Sequence, residues 1–318
     1  MLKWLGTLAV VLLLMGMAAQ QIWMDIDPGD VQVNVPRGAS SAAIGRLLKQ
    51  HGVIRSAVAF RLLARFSGQG GMLQSGEYRF NHPADLPQVM DRLRRGDTIL
   101  YHVTVPEGLR TDEVLTLLAR ETSRDEAAWR KALAILTRGE EVEGRLLPET
   151  YTYRRPVDPK ALLAQMLAAH DAVMLGLLPS WTGADKLRII ASIIEKETSV
   201  ARERPLVAAV IRNRLKKHMA LQMDSTVIYG LWREDGRFSG NLHKRDMQRD
   251  TPWNTYVHRG LPPTPICNPG KASLEAAAHP ADVRYLYFVA DGTGGHAFAS
   301  TLAEHDRNVR HWMRLERQ

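Results

Sequence analysis

Residues 189–200, with the sequence IIASIIEKETSV, constrain the fold more strongly than any other stretch of the chain. Successive residues of an α-helix are about 100° apart, so residues at i, i+3, i+4 and i+7 form one stripe. Here that stripe contains three isoleucines and one glutamate: Ile190, Ile193, Ile194 and Glu197. A helix with this stripe has to be covered by other elements, which carries the glutamate towards the interior. Glu195 and Lys196 lie off the stripe, and we expect both to be solvated.

A glutamate on an apolar helix face has two interpretations. An ionised carboxylate without partners is costly to bury, so such a group either pairs with a cation or stays protonated. A protonated carboxyl group with a raised pKa is suited to act as a general acid near neutral pH. Pairing would instead make Glu197 a structural group. Four arginines close by in the sequence are candidates for the partner: Arg202, Arg204, Arg212 and Arg214.

The composition narrows the class of protein. A chain of 318 residues is expected to form two folded domains. Its net charge of +8 favours an anionic partner, although a bias of base composition towards arginine codons would give the same excess. The sequence lacks a phosphate-binding glycine loop and zinc-finger spacing, which argues against nucleic-acid binding. The single cysteine, Cys267, excludes an internal disulfide and is expected to be a packing residue, and no metal or cofactor is predicted.

The N-terminal residues decide the predicted compartment. An uncharged, largely apolar run from Trp4 continues through two glutamines to Trp23, and reaches the roughly 20 residues that a bilayer requires. Tryptophans at both ends favour a retained transmembrane anchor over residues 1–24, with a cleaved signal peptide as the alternative. We expect a single-pass protein of the inner membrane, with its N-terminus in the cytoplasm and residues from about 28 onward in the periplasm.

The remaining sequence predicts an α+β fold. Alternating valines in VQVNV predict a strand, two helical patterns follow, and LQSGEYRF returns as a strand, which gives a compact module over residues 28–104. The chain over residues 105–318 is predicted to form a mixed α+β domain. Thr111 is expected to cap the first of five helices, which span 111–122, 125–138, 160–178, 185–200 and 205–215. The chain after 215 is interpreted as loop-rich, ending in a hairpin and a helix that carries His305.

Several motifs follow one another between about 187 and 309: ASIIEKETSVARERPLVAAVIRNRL, LQMDSTVIYG, NTY, GLPPTPICNPG, SLEAAAHP and YLYFVADGTGGHAF. In this order they resemble the YceG-like family of membrane-anchored endolytic murein transglycosylases. The resemblance implies that the module over 28–104 is LysM-like and contacts peptidoglycan, and that 105–318 is the catalytic domain. Family members commonly have Asp-Pro-Thr where this chain has Asp224, Ser225 and Thr226.

The same resemblance implies a reaction and a catalytic residue. KET resembles the Gln-Glu-Ser of lysozyme-like lytic transglycosylases, whose glutamate is catalytic, so it selects Glu197, as the helical stripe does. The reaction would cleave the β-1,4 bond between N-acetylmuramic acid and N-acetylglucosamine in nascent strands without water, leaving a 1,6-anhydromuramoyl end and terminating elongation. Glu197 would act as general acid and then as base. The implied partners are peptidoglycan glycan strands and, from that role, peptidoglycan synthases.

Other polar residues are candidates for contacts with the sugar, with loop ordering as the alternative for each: Gln222, Asp224, Asn254, Tyr256 and Glu149. His296 and His305 could tune Glu197 or be structural. Two other functions remain open. A lysozyme-like muramidase would use Asp224 or Glu149 as a second carboxylate. A non-catalytic, glycan-binding membrane anchor would use Glu197 only in a buried ion pair.

Overall fold

The structure is a computed structural model, and it describes residues 16, 20, 23–68, 70–177, 181–236, 238 and 240–316. The chain divides into two compact units, Met1–His102 with Thr152–Asp158, and Val103–Tyr151 with Pro159–Gln318. The transmembrane anchor predicted for residues 1–24 falls almost entirely outside the described residues. Within the described part of the chain, no helix combines the length and the apolar character that spanning a membrane requires.

The first unit has the predicted strand–helix–helix–strand order. Strands β1 (Val31–Val35) and β2 (Gly76–Phe80) pair antiparallel. Helices α1 (Ser41–Gln50) and α2 (Ala57–Phe66) lie between them in the chain, and α3 (Leu86–Arg95) follows β2. Each helix begins after a side chain that accepts a hydrogen bond from an amide of its first turn: Ser40, Ser56 and Asp85. The inward faces of these five elements form one hydrophobic core.

The second unit contains most of the helices. Those described are α4 (Thr111–Thr122), α5 (Glu126–Thr137), α6 (Pro159–Gly176), α7 (Ala184–Glu197), α8 (Arg204–Lys216), α9 (Asp224–Asp235), α10 (Lys271–Ala278) and α11 (Leu302–Leu315). Strands β5 (Tyr287–Ala290) and β6 (His296–Ala299) form the predicted antiparallel hairpin. The division between the units falls within the remaining pair of strands, β3 (Tyr101–Thr104) and β4 (Thr150–Tyr153). The mixture of helices and short sheets confirms the α+β class.

Helix α7 lies in the core of the second unit, where α8 and α10 pack against it. The isoleucines of the predicted stripe are fully buried: Ile190, Ile193 and Ile194. Ser192 connects α7 to the loop before α10, because its Oγ accepts a 3.0 Å hydrogen bond from the Ile266 amide and its carbonyl accepts one from the Cys267 thiol at 3.3 Å. Cys267 is fully buried, as a packing residue should be. The helix ends at Glu197 because Thr198 is extended.

The segment after residue 215 is less loop-rich than predicted, since it contains α9 and α10. The sequence of α9 is poor in helix formers, because Thr226, Val227 and Ile228 are β-branched and Gly230 lies in its middle. Tertiary packing stabilises the helix instead. At Gly230 the Thr251 side chain approaches the backbone so closely that a Cβ atom would collide with it.

Several helix ends also differ from the prediction by a few residues, most of all the end of α7, and the cap of α4 is another residue. Helix α7 ends at Glu197 and not at residue 200. Thr111 is the first residue of α4, and the cap position is Arg110, whose amide donates a 2.8 Å hydrogen bond to Glu113. Thr111 does not cap α4, because both its amide and its hydroxyl donate to the buried carboxylate of Glu143.

Candidate active site

Glu197, the last residue of α7, lies beside the first turn of α9. The hydroxyl of Ser225 donates a 2.6 Å hydrogen bond to Glu197 Oε1, and the Ser225 amide also interacts with this carboxyl group. Amides in the first turn of a helix carry partial positive charge, so this end of α9 favours an anionic partner. Both the backbone and the side chain of one residue therefore orient Glu197.

The surroundings of Glu197 raise its pKa. Burial has the largest effect, because it disfavours the charged form, and the negative charge of Asp224 adds to the increase. The hydrogen bonds from Ser225 and the charge of His296 oppose it. Part of the residue stays accessible to solvent. Burial thus favours the protonated form of the carboxyl group, while the residue as a whole keeps some contact with solvent.

The predicted arginine partners do not pair with Glu197. Arg204 lies 4.0 Å from Glu195 instead. Arg212 and Arg214 donate hydrogen bonds to backbone carbonyl groups. The buried guanidinium of Arg214 interacts with Glu197 only through longer-range electrostatics. Among the residues that the structure describes, Glu197 has no ion-pair partner, so its interpretation as a structural ion-pair member is not supported.

The side chain of Glu195 has little contact with solvent, so the prediction that it is solvated is wrong. Its side chain is 7% exposed, and its Oε2 accepts a 3.0 Å hydrogen bond from the amide of Gly270 at the start of α10. The physical reason is that α8 and α10 cover two sides of α7, so the buried surface is wider than one stripe. Lys196 is exposed, as predicted, and its Nζ donates to the Gly108 carbonyl at 3.3 Å.

Asp224 and Tyr256 form a second polar pair next to Glu197. The Tyr256 hydroxyl donates a 2.6 Å hydrogen bond to Asp224 Oδ1. Burial raises the pKa of Tyr256, and the hydrogen bond and negative charge of Asp224 raise it further. Asp224 is exposed and directly precedes Ser225. The sequence therefore identified two residues that the fold brings to the surroundings of Glu197.

Sequence reasoning missed Glu203, which connects two residues of the site. Its side chain is 5% exposed, and its carboxylate accepts hydrogen bonds from the ring nitrogen Nδ1 and the amide of His296, at 2.7 and 2.9 Å. The Thr198 hydroxyl donates a third at 3.0 Å. Burial alone would raise the pKa of Glu203, but these hydrogen bonds outweigh it and lower the pKa. Glu203 thus binds both Thr198, the residue after Glu197, and His296, whose charge acts on Glu197.

The other candidates have different surroundings. Gln222 is exposed and adopts a positive φ of 51° before α9. Glu149 is exposed just before β4. Asn254 is fully buried. Its side-chain nitrogen donates hydrogen bonds to the carbonyls of Met247 and Arg249, and its side-chain oxygen accepts one from the amide of Tyr256. This geometry supports loop ordering for Asn254. His305 stacks on Tyr287, with ring centroids 5.1 Å apart.

The chemistry available at this site is proton transfer. A carboxyl group with a raised pKa can donate a proton to a bound oxygen and later accept one. The described residues contain no group of three or more histidine, cysteine, aspartate or glutamate side chains placed to hold a metal ion. Fold and site together define a mixed α+β protein with one helix-borne carboxyl group as its candidate acid and base.

Comparison with known proteins places the chain in a family. Residues 33–311 match the YceG-like family, so the chain belongs to that family. It is 32% identical over 309 residues to an endolytic murein transglycosylase of Bacillus subtilis, covering 87% of this chain and 83% of that protein. It is 27% identical over 325 residues to a protein of the same name from Streptococcus pneumoniae D39, covering 88% of this chain and 58% of the relative's length.

A solved structure supports the fold. A crystal structure of a YceG-like protein from Listeria monocytogenes superposes with a TM-score of 0.59 at 28% sequence identity. The match covers 87% of this chain and 98% of the Listeria chain. The mixed α+β architecture described above is therefore the fold of a YceG-like protein.

Proposed function

We propose that this protein is an endolytic lytic transglycosylase of peptidoglycan. The observation that carries the proposal is Glu197, a partly exposed residue whose carboxyl group has a raised pKa and no ion-pair partner among the described residues. The names of the Bacillus and Streptococcus relatives agree with this activity. One carboxyl group suffices for such a reaction because the nucleophile is a hydroxyl of the substrate itself, held close to the reacting carbon.

The proposed reaction has two proton transfers through Glu197. Protonated Glu197 donates to the glycosidic oxygen as the bond between that oxygen and C1 of N-acetylmuramic acid breaks. The resulting carboxylate then accepts the proton of the muramic 6-hydroxyl as that oxygen bonds to C1. The products are a free 4-hydroxyl on N-acetylglucosamine and a 1,6-anhydromuramoyl end, and Glu197 is protonated again. No water is consumed, and elongation of the cut strand stops.

The neighbours of Glu197 support distinct roles in this proposal. The Ser225 hydroxyl orients the carboxyl group and stabilises its ionised form after the first transfer. Asp224, Tyr256 and Gln222 are proposed to bind sugar hydroxyl and amide groups around the reacting bond, and exposed Glu149 to contact the strand further along. Asn254 would order the loop that carries Tyr256.

The remaining proposals concern location and domains. We assign residues 1–24 to a transmembrane anchor, 28–104 to a LysM-like module that contacts peptidoglycan, and 105–318 to the catalytic domain. This arrangement would place the catalytic domain in the periplasm beside the inner membrane, where new strands are made. Peptidoglycan synthases are the partners that such a location implies.

Mass spectrometry of glycan products tests the function. The full-length protein should release anhydromuramoyl ends from nascent strands, and Glu197→Gln, which preserves the shape of the side chain, should release none. Glu195→Gln is the matched control, because it alters a buried carboxyl group two residues away on the same helix. Circular dichroism of each variant checks that it is folded.

Two outcomes would redirect the proposal. Products one water heavier would indicate a muramidase. The candidates for its second carboxylate are Asp224, whose charge acts on Glu197, and Glu149. Glycan binding without products from any of the proteins would indicate a non-catalytic anchor.

A further inference from the structure

Helix α2 of the first unit carries an exposed apolar strip on its outer face. Val58, Leu62 and Phe66 recur at every fourth residue and are 58%, 43% and 82% exposed. Residues four apart are neighbours on a helix surface, so the three side chains are contiguous. The inner face of the same helix, with Phe60 and Ala64, is buried in the core. The core therefore uses the inner face and leaves the strip to solvent.

Basic residues border the apolar strip. Arg61 and Arg65 are exposed on the same helix, between and beside its apolar members. The stretch from residue 31 to residue 76 contains no aspartate or glutamate, and its basic residues are Arg37, Arg46, Lys49, Arg55, Arg61 and Arg65. An apolar strip flanked by arginines complements the boundary between acyl chains and anionic head groups of a bilayer.

The connection to the N-terminal segment favours a bilayer over a protein partner. Ile26 and Ala84 exchange two backbone hydrogen bonds of 3.0 Å, so the chain is fastened to the first unit three residues after Trp23. Arg55, just before α2, donates to the carbonyl of Asp25 at 3.4 Å. An apolar run that ends at Trp23 thus reaches the first unit without a flexible linker, at a point beside the start of α2.

We infer that the apolar strip of α2 lies on the anionic surface of the bilayer, with Arg61 and Arg65 directed at lipid phosphates. The inference rests on the membrane anchor of the proposed function and adds a second membrane contact to it. Two contacts hold the first unit in one orientation on the bilayer, where one anchor alone would let it rotate.

Site-specific fluorescence in lipid nanodiscs tests the inference. The full-length chain is placed at one copy per disc in bilayers containing phosphatidylglycerol, with an environment-sensitive label on Phe66→Cys. The native Cys267 is fully buried and leaves the engineered thiol as the labelling site. The matched control carries the label on Leu302→Cys, at a position 56% exposed in the second unit. We expect aqueous iodide to quench the label at 66 about threefold less than the label at 302, and brominated acyl chains to quench it more.

A second variant tests the charges. One basic residue near an anionic surface shifts the binding equilibrium about fivefold, so Arg61→Gln combined with Arg65→Gln should increase iodide access to the label at 66. Replacing phosphatidylglycerol by phosphatidylcholine should act in the same direction.

Several results would overturn the inference: equal iodide access at 66 and 302, failure of the chain to enter discs, protection that requires two copies per disc, or protection that requires glycan strands. Formation of anhydromuramoyl ends by the same discs reports separately on the proposed function. Active discs with an accessible label at 66 would refute the membrane contact alone.

Discussion

Glu143 links pH to the stability of the second unit. The residue is 5% exposed, and its Oε1 accepts hydrogen bonds from the amide and the hydroxyl of Thr111, at 2.9 and 3.0 Å, at the start of α4. Its Oε2 accepts a 3.4 Å hydrogen bond from Tyr229 of α9, the helix that begins beside Glu197. Burial raises the pKa of Glu143 to about 7, against the lowering effect of both Thr111 hydrogen bonds.

The magnitude follows from the two pKa values. The folded state binds the proton of Glu143 more tightly than the unfolded chain, whose pKa is near 4.5 against about 7 in the fold. The stabilising contribution is therefore complete below about pH 4.5 and is lost as the pH rises through about 7. One pKa unit corresponds to about 1.4 kcal/mol, so this group alone should lower the free energy of unfolding by about 3 kcal/mol across the window.

Glu143→Gln isolates this effect. The amide oxygen of glutamine can keep both hydrogen bonds from Thr111, and its NH₂ group can donate to the Tyr229 hydroxyl, so the variant replaces the titrating group and retains the bonding. Urea unfolding of both proteins at about pH 5 and about pH 8 gives the change in their stability difference. The variant should gain about 2.5 kcal/mol relative to wild type between these two pH values, because the unfolded chain is already partly ionised at the lower one. Glu140→Gln, exposed three residues earlier, is the control. A stability difference that is the same at both pH values refutes the reasoning.

Two further predictions concern the candidate site. Ser225→Ala removes a hydrogen bond that lowers the pKa of Glu197, so it should raise that pKa further and move the alkaline limb of the pH–rate profile of anhydromuramoyl formation upward. Ser225→Thr, which keeps the hydroxyl, should restore the wild-type limb, and an unmoved limb in the alanine variant would contradict the assignment. Glu203→Gln weakens the hold on His296, so kcat should fall with KM unchanged and the same limb should move upward. A stability loss with an unaltered pH profile would make Glu203 purely structural.

The sequence could identify Glu197 because helical periodicity is a local property. Ile190, Ile193 and Ile194 predict their own burial whatever covers them, and the glutamate follows from its place on their stripe. The burial of Glu195 could not be predicted in this way. It depends on the Gly270 amide, 75 positions away in the sequence, and on a second helix that covers the flank of α7.

For the same reason, the hydrogen-bond partners of Glu197 and His296 could not be predicted from the sequence. Ser225 meets Glu197 across 28 positions, and Glu203 meets His296 across 93. Helix α9, which presents Ser225, is rich in β-branched residues, so local propensity gave no sign of it. A proline at this position, which the resemblance to the family implies, could supply neither a hydroxyl nor an amide to Glu197, so both donors depend on the serine at 225.

The contrast between Glu195 and Glu197 shows how one helix end could hold a structural carboxyl group and the proposed proton carrier side by side. Glu195 accepts a hydrogen bond from a backbone amide and lies 4.0 Å from Arg204, which is also 3.7 Å from Glu107. Glu197 has donors from Ser225 but no such cation among the described residues, and Asp224 adds negative charge nearby.

A direct arginine would hold Glu197 ionised and prevent the first proton transfer. Burial raises the pKa of Glu197, and the hydrogen bonds from Ser225 oppose that rise. A group that must donate and then accept within one turnover needs its two forms to be close in free energy. At Glu197, burial favours the protonated form and the hydrogen bonds from Ser225 favour the ionised form. These opposing effects bring the two forms closer in free energy.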